Sequence, residues 1–409
     1  MLLIKNADIH PMTGRPAFHG YLLADPPFIR EVGSGEPPPH LTDHDALQVV
    51  DADGAWLMPG LIDAHCHVGL FNDGLTFEGH DGNEATDPVT PQLLATDGIY
   101  QDDACFPEAL AGGVTTVMTG PGSANVLAGS FALLRTAGRT VEDMTVIKLA
   151  AMKAALGENP KQVYGRKDKS PITRMATAAI LRDALAQTQA YIDEKDFLAK
   201  EEKPMTRRDG RWEALAPVLT GERMLKIHAH RTDDILTAVR IANEFGLHYT
   251  IDHCTEGYLI ADLLALEYQA GLQQGCGLGK PGLGRLAGVI TGPLLSDRSK
   301  PELRRSTIRN PGILAAAGIP VAIMTDHPVV PVQYLTVSAA LAVKAGMTEQ
   351  QALEAMTITS ARLCGADKIL GSIEAGKLAD LVLFSGNPLD FRSTVRMVFL
   401  QGKPAFSET

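Results

Sequence analysis

The sequence predicts an α/β protein: a (β/α)8, TIM-like barrel with a small β-sandwich formed from its N- and C-terminal segments. Three observations predict it. From about residue 60 to residue 365, apolar strand-like runs alternate with Ala/Leu-rich helical stretches, the pattern of a parallel sheet with crossover helices. Before and after that region helical signals fade and short apolar pieces alternate with Pro and Gly. No glycine-rich phosphate loop follows LIDAHCHVG, as an open doubly wound sheet would require at its first strand.

The opening pieces LLIKNADIH, YLLADPPFIREVG and ALQVVDADGAWLMPG read as strands and turns. The tail pieces GSIEAGKLADLVLFSGNPLD and VRMVFLQGKPAF read likewise. The two ends are expected to pair, giving a composite sandwich domain of 1–58 plus 368–409 around a barrel of 59–367. Within the barrel, LIDAHC, GVTTVMTG, TVIKLAAMK, MLKIHAHR, LHYTIDHCTEG, GVITGPLL and IPVAIMTDHP are strand-like. DDILTAVRIANEFG and TEQQALEAMTITSARLCG are helical, and 173–203 reads as one long helix whose charged end is a solvated face. The stretch from Leu70 to Gln92, with NDG, GHDG and Pro88, is long enough for a lid.

At 409 residues, 45% hydrophobic and 21% charged, the chain is an ordinary soluble composition. A formal charge of −11 argues against a general nucleic-acid or anionic-membrane binder. The five cysteines (Cys66, Cys105, Cys254, Cys276 and Cys364) are odd in number and lack a C-x-x-C spacing, which suits a reducing compartment. MLLIKNADIHPMTG turns polar early, unlike a signal peptide, and no run is long enough for a membrane helix. The expectation is a cytoplasmic protein acting on a small molecule, with homo-oligomerisation left open.

In PGLIDAHCHVGLF, His65 and His67 would project to one face of a strand and Cys66 to the other. Taken alone, H-x-H fits a hydrogen-bonded pair as well as two metal ligands. Further residues then recur where apolar runs meet polar or Gly-rich loops: Lys148 and Lys153, His228 and His230, His253, and Asp326. Barrel chemistry sits at the C-terminal ends of strands, and imidazoles and carboxylates are what a zinc-type ion favours. That recurrence makes His65 and His67 ligands.

PGLIDAHCHVG, the spaced HAH and DHCTE segments, MTDHP and GSIEAGKLADLVLF resemble the amidohydrolase superfamily. GHDGNEATDPVTP, GPGSANVLAG and MKAALGENPKQVYG resemble its imidazolonepropionase-like branch. The resemblance implies a metal-dependent hydrolase with one or two Zn2+ ions. It implies that His65, His67, His228, His253 and Asp326 are ligands, with Lys153 carboxylated to bridge two ions and Lys148 its runner-up. His230, by the same comparison, lines the pocket or bonds substrate. Cys254 and His327 should face the barrel wall; His248 reads as structural, and His10, His19, His40 and His44 need no functional role.

The implied chemistry is hydrolysis of a C–N bond, most simply an amide, in a cyclic amide, dipeptide or N-acyl amino acid. Asp326 would move the proton and His253 or His230 would support the oxyanion. HAHRTDD lacks the glutamate that deaminase relatives carry shortly after this histidine, and a scaffold without catalysis would have lost ligands. A single-metal imidazolonepropionase- or deaminase-like hydrolase, or an isomerase or lyase on the same barrel, stays open. Arg231, following the His228 strand, is the expected carboxylate contact, with Tyr164 beside it. The remaining loop cations (Lys161, Arg166, Lys167, Lys169, Arg298, Lys300, Arg304, Arg305) read as solvated charge, and His80 as a surface residue.

Overall fold

The computed structural model describes residues 1–42, 47–205, 207–273 and 283–408; His44 and Cys276 lie outside the described residues. Five strands open the chain: β1 (Leu2–Ile9), β2 (Phe18–Asp25), β3 (Phe28–Ser34), β4 (Gln48–Asp51) and β5 (Trp56–Pro59). The barrel strands follow: β6 (Leu61–Cys66), β7 (Val114–Thr119), β8 (Leu127–Arg135), β9 (Thr145–Ala155), β10 (Met224–Ala229), β11 (His248–His253), β12 (Arg285–Thr291) and β13 (Val321–Ile323). The chain ends in β14 (Leu381–Phe384), β15 (Val395–Leu400) and β16 (Lys403–Ser407).

The terminal strands form one sheet, ordered β16-β15-β14-β5-β1-β2-β3 with β4 also on β1. β5 is the seam: Met58 lies opposite Val382 of antiparallel β14, and Trp56 opposite Asp8 of parallel β1. Leu57, Ile9, Leu381, Leu383 and Phe399 bury together there, so the two chain ends share one core.

The barrel sheet runs β6 to β13 in chain order. Every residue of β6 and β7 is buried, as in strands covered on both faces. Two backbone bonds just past β13 draw its end against β6: Asp326 N–H to the His65 carbonyl (3.3 Å) and His67 N–H to the His327 carbonyl (2.9 Å). One strand departs from the expected parallel pattern. β8 is absent from the strands read in the sequence, and it runs antiparallel to both β7 and β9. The link from β7 to β8 spans only residues 120–126. A parallel return needs about a dozen residues or more, so this link can only fold back.

Helices pack outside the sheet on apolar stripes. Thr232–Phe245 buries Ile235, Ala238, Ile241 and Ala242 at helical spacing and stops at Gly246, whose φ of 66° is a left-handed C-cap. The expected long helix is Arg174–Lys200; the Thr173 side chain accepts the Ala176 N–H at its start, and the charged end is largely exposed. No helix of the described residues is long and apolar enough to cross a membrane.

His248 opens β11, and burial together with nearby Arg285 pushes its imidazole down to about 4. Between that value and the ordinary range near 6.5 the unfolded chain therefore binds the extra proton. Stability is expected to fall as pH drops from about 6.5 towards 4, and His248→Asn should lose less over that window than the parent chain. Urea denaturation at pH 7, 5.5 and 4.5 measures this; equal slopes for both proteins would contradict it.

Candidate metal centre

The strand ends converge on one point. Asp63 and His65 alternate onto the inner face of β6, while Cys66 turns outward into the apolar layer with Val117 and Phe106. His65 is fully buried, and its Nδ1 lies 2.7 Å from Asp252 Oδ2 on β11. Asp252 is held in turn by Lys226 Nζ (3.2 Å) and by the Thr250 hydroxyl, which donates to Oδ1 at 2.9 Å. His67 Nδ1 lies 2.7 Å from the Gly120 carbonyl, and His253 Nδ1 3.0 Å from the Gly292 carbonyl. Gly292 sits at φ 143°, where a Cβ would lie 2.4 Å from the Met324 carbonyl oxygen, so only glycine brings this carbonyl to His253.

Pinning each Nδ1 leaves Nε2 of these three rings for the interior. Asp326 Oδ1 lies 3.3 Å from His67 Nε2 and 3.7 Å from His65 Nε2. His65, His253 and Asp326 offer ligand atoms within 4.8 Å of one another, and so do His228, His230 and His253. His253 belongs to both groups. Among the described residues His228 Nδ1 and His230 Nε2 are buried with no hydrogen-bond partner, Nε2 of His230 lying 3.5 Å from Glu302 Oε1. Lys153 Nζ is fully buried at 3.4 Å from His65 Nε2, above the Phe131 ring. His253 (φ 68°) and Asp326 (φ 55°) occupy the left-handed region, costing about 1–2 kcal/mol each, and such strain collects at functional sites.

Electrostatics prepares these groups for a cation. Burial pushes His65, His228 and His230 well below the ordinary imidazole range and takes His253 to about 4. Burial also pushes the Asp326 carboxyl up, but His253, His67 and His65 outweigh it and hold it below the usual carboxylate range. At neutral pH these imidazoles are therefore uncharged and the carboxylate is ionised, the protonation states that ligate. Burial brings the Lys153 ammonium down to about 8, against the pull of Asp252 and Asp326.

A cavity of about 990 Å³ opens over the cluster, with His67, His228, His230, His253 and Asp326 in its wall. Phe71 and Asn83 from the expected lid segment also line it. The structure thus brings together His65, His67, Lys153, His228, His230, His253 and Asp326. Lys148 lies exposed on the outer part of β9, far from any bridging role. The two expected substrate contacts are elsewhere. Arg231 turns its guanidinium onto Asp233, donating at 3.0 and 2.9 Å beside the helix start, outside the cavity wall. Tyr164 is fully buried with its hydroxyl on Asn125 Oδ1 at 2.6 Å, also away from that wall. His327 is buried outside the cavity wall with both ring nitrogens unpartnered among the described residues, and His80 is exposed.

Sequence reasoning missed Asp252, Lys226 and Asp63, which sit inside apolar strands. Three charges on the inward register of β6, β10 and β11 were the available signal, since such groups are buried only when paired. Asp63 accepts the Thr325 hydroxyl (2.5 Å) and the His65 N–H (3.2 Å), and burial raises its carboxyl to about 7. Lys300 and Asn159 also line the cavity.

A barrel whose strand ends gather histidines, an aspartate and a buried lysine over an open cavity defines a class of metal-site proteins. Residues 56–405 match the amidohydrolase family, and the chain belongs to it. A solved amidohydrolase from Thermotoga maritima MSB8 is 40% identical and superposes with a TM-score of 0.91 over the whole of both chains. Amidohydrolase tasK of Hapsidospora irregularis is 26% identical across 95% of this chain, which spans 40% of that relative's length. Imidazolonepropionase of Shouchella clausii is 24% identical over 83% of this chain and 72% of its own. A prolidase solved with N-methylphosphonate-L-proline, 18% identical with a TM-score of 0.61 over both whole chains, shares the fold.

Asp252→Asn removes the charge that fixes the His65 ring and strands the Lys226 ammonium. Affinity for a divalent metal ion should fall about 10–100-fold, and stability by about 3–5 kcal/mol. Competitive metal-ion titration and urea denaturation measure the two effects, and an unchanged metal affinity would remove Asp252 from the centre.

Proposed function

We propose that the chain is a metal-dependent hydrolase of a C–N amide bond in a small molecule: a cyclic amide, a dipeptide or an N-acyl amino acid. The observation carrying this is that His253 offers a ligand atom within 4.8 Å of those of His65 and Asp326 and also of that of His228, with Lys153 Nζ 3.4 Å from His65 Nε2. His65, His67, His228, His253 and Asp326 would hold Zn2+, and Lys153 would join two ions as its carbamate. The carbamate forms when neutral Nζ attacks CO2, making an N–C bond and releasing a proton, and a lysine lowered to about 8 by burial is suited to that step. Bound zinc supplies Lewis-acid polarisation and lowers the pKa of water.

The chain's own groups do the rest. Asp326, ionised at neutral pH, accepts the proton of the attacking water at its carboxylate and returns it to the leaving nitrogen as the C–N bond breaks. His230 Nδ1 lies 2.7 Å from the Thr255 hydroxyl oxygen and its Nε2 3.5 Å from the buried Glu302 Oε1, and the ring stands in the cavity wall, where it supports the developing oxyanion. A second reading, one ion held by His228, His230 and His253, is favoured by the mutual approach of those three rings.

Metal analysis of protein purified with bicarbonate and zinc separates the two. About two ions per chain are expected in the parent and in Lys148→Ala, and one or none in Lys153→Ala. One ion in all three would retire the bridge and leave the three-histidine reading. Asp326→Asn should cut amide hydrolysis by roughly 10²–10⁴-fold across a screen of cyclic amides and dipeptides.

A further inference from the structure

We propose that Lys300 and Ser123 form the subsite that receives a carboxylate of the substrate, one amino-acid unit away from the bond being cleaved. This rests on the hydrolase reading above and names its substrate class more closely. Among the described residues, Arg298 and Lys300 are the arginine and the lysine side chain in the cavity wall. Arg298 is exposed and braces its own loop, donating to the Ser306 carbonyl at 3.0 Å. Lys300 is different: its side chain is only 24% exposed, and its ammonium is fixed from two sides. Nζ donates to Asn159 Oδ1 at 2.9 Å and lies 2.8 Å from Glu302 Oε1. An ammonium has three N–H groups, so one is left for the cavity.

Asn159 links this corner to the candidate metal centre. Its Nδ2 lies 3.4 Å from His228 Nε2 and donates to Ser123 Oγ at 2.6 Å. Ser123 Oγ thus accepts, and its own hydrogen has no acceptor among the described residues. The corner therefore presents two donors, one ammonium N–H and one hydroxyl, matching the two oxygens of a carboxylate. In an N-acyl amino acid the carboxylate carbon lies three covalent bonds from the scissile carbonyl carbon, roughly 3–4 Å. That reach suits a cation separated from ligand His228 by a single asparagine side chain.

The subsite is built rather than incidental. Glu302 is buried, and its Oε2 accepts the Glu158 N–H at 3.0 Å while its own N–H donates to Glu158 Oε2 at 3.3 Å. This reciprocal pair latches the loop after β12 to the helix after β9, so Lys300 arrives at a fixed position. Arg231 cannot share the role, because its guanidinium is committed to Asp233.

The test is ligand-observed NMR on the zinc-loaded enzyme with a panel of N-acetyl amino acids and their C-terminal carboxamides, hydrolysis being followed in the same tubes. At least one free acid should bind, with its carboxamide about tenfold or more weaker. Lys300→Met should erase that preference, Lys300→Arg should keep most of it, and Ser123→Ala should narrow it several-fold. Thermal melts check that each variant folds, and if Lys300→Met does not, Ser123→Ala decides. Equal binding of acids and amides, a preference that survives in Lys300→Met (or in Ser123→Ala where that variant decides), or no binding by any acid overturns the subsite. A Lys300-dependent preference without hydrolysis of any compound would sink the hydrolase reading and leave the subsite standing, whereas equal hydrolysis of acids and amides does the reverse.

Discussion

The site depends on one buried charge. Asp252 is fully enclosed by the barrel, and three strands meet at it: β6 through His65, β10 through Lys226, and its own β11 through Thr250. Enclosing a carboxylate costs several kcal/mol, which Lys226 and two hydrogen bonds must offset. Burial pushes Asp252 up, but Lys226 and His65 outweigh it and hold it below the usual carboxylate range. Being ionised, it fixes which nitrogen of His65 faces the interior. Lys226 also donates to the Ala64 carbonyl at 3.2 Å, tying β10 to β6 across the barrel. The pair beneath the cavity therefore specifies strand placement and ligand orientation together.

Above that layer the geometry comes from strand ends and short loops. Gly120 and Gly292 lend carbonyls to His67 and His253, and the backbone bonds between His65–His67 and Asp326–His327 set the last strand beside the first. Asp326 thereby reaches both His65 and His67 although it lies over 250 residues downstream. Ser123 and Lys300, on loops, and Asn159, in the first turn of the helix Glu158–Gly165, add polar groups to the cavity wall above this frame.

Much of this was legible in the sequence, for physical reasons. Strand-like runs ending in His, Lys or Asp before a polar loop announce barrel-end chemistry, and β6, β9, β10, β11 and the Asp326 segment all carry that signature. The composite terminal sheet was legible because β-type alternation at both ends needs a partner. β8 was not: LAGSFALLR is an apolar run within a Gly-rich stretch, and its reversed direction follows only from the shortness of the 120–126 link. Arg231 reads as a substrate clamp because an arginine follows a ligand strand, whereas in the structure Asp233 two residues on is its bidentate partner. Lys300 sits in a loop without periodicity, so nothing local distinguished it from its solvated neighbours.

The most direct measurement is anomalous diffraction from crystals grown with zinc and bicarbonate. Zinc peaks should lie within bonding distance of His65, His67, His228, His253 and Asp326, with density for a carbamate extending from Lys153 Nζ. Peaks confined to surface carboxylates, or none in the barrel, would contradict the account.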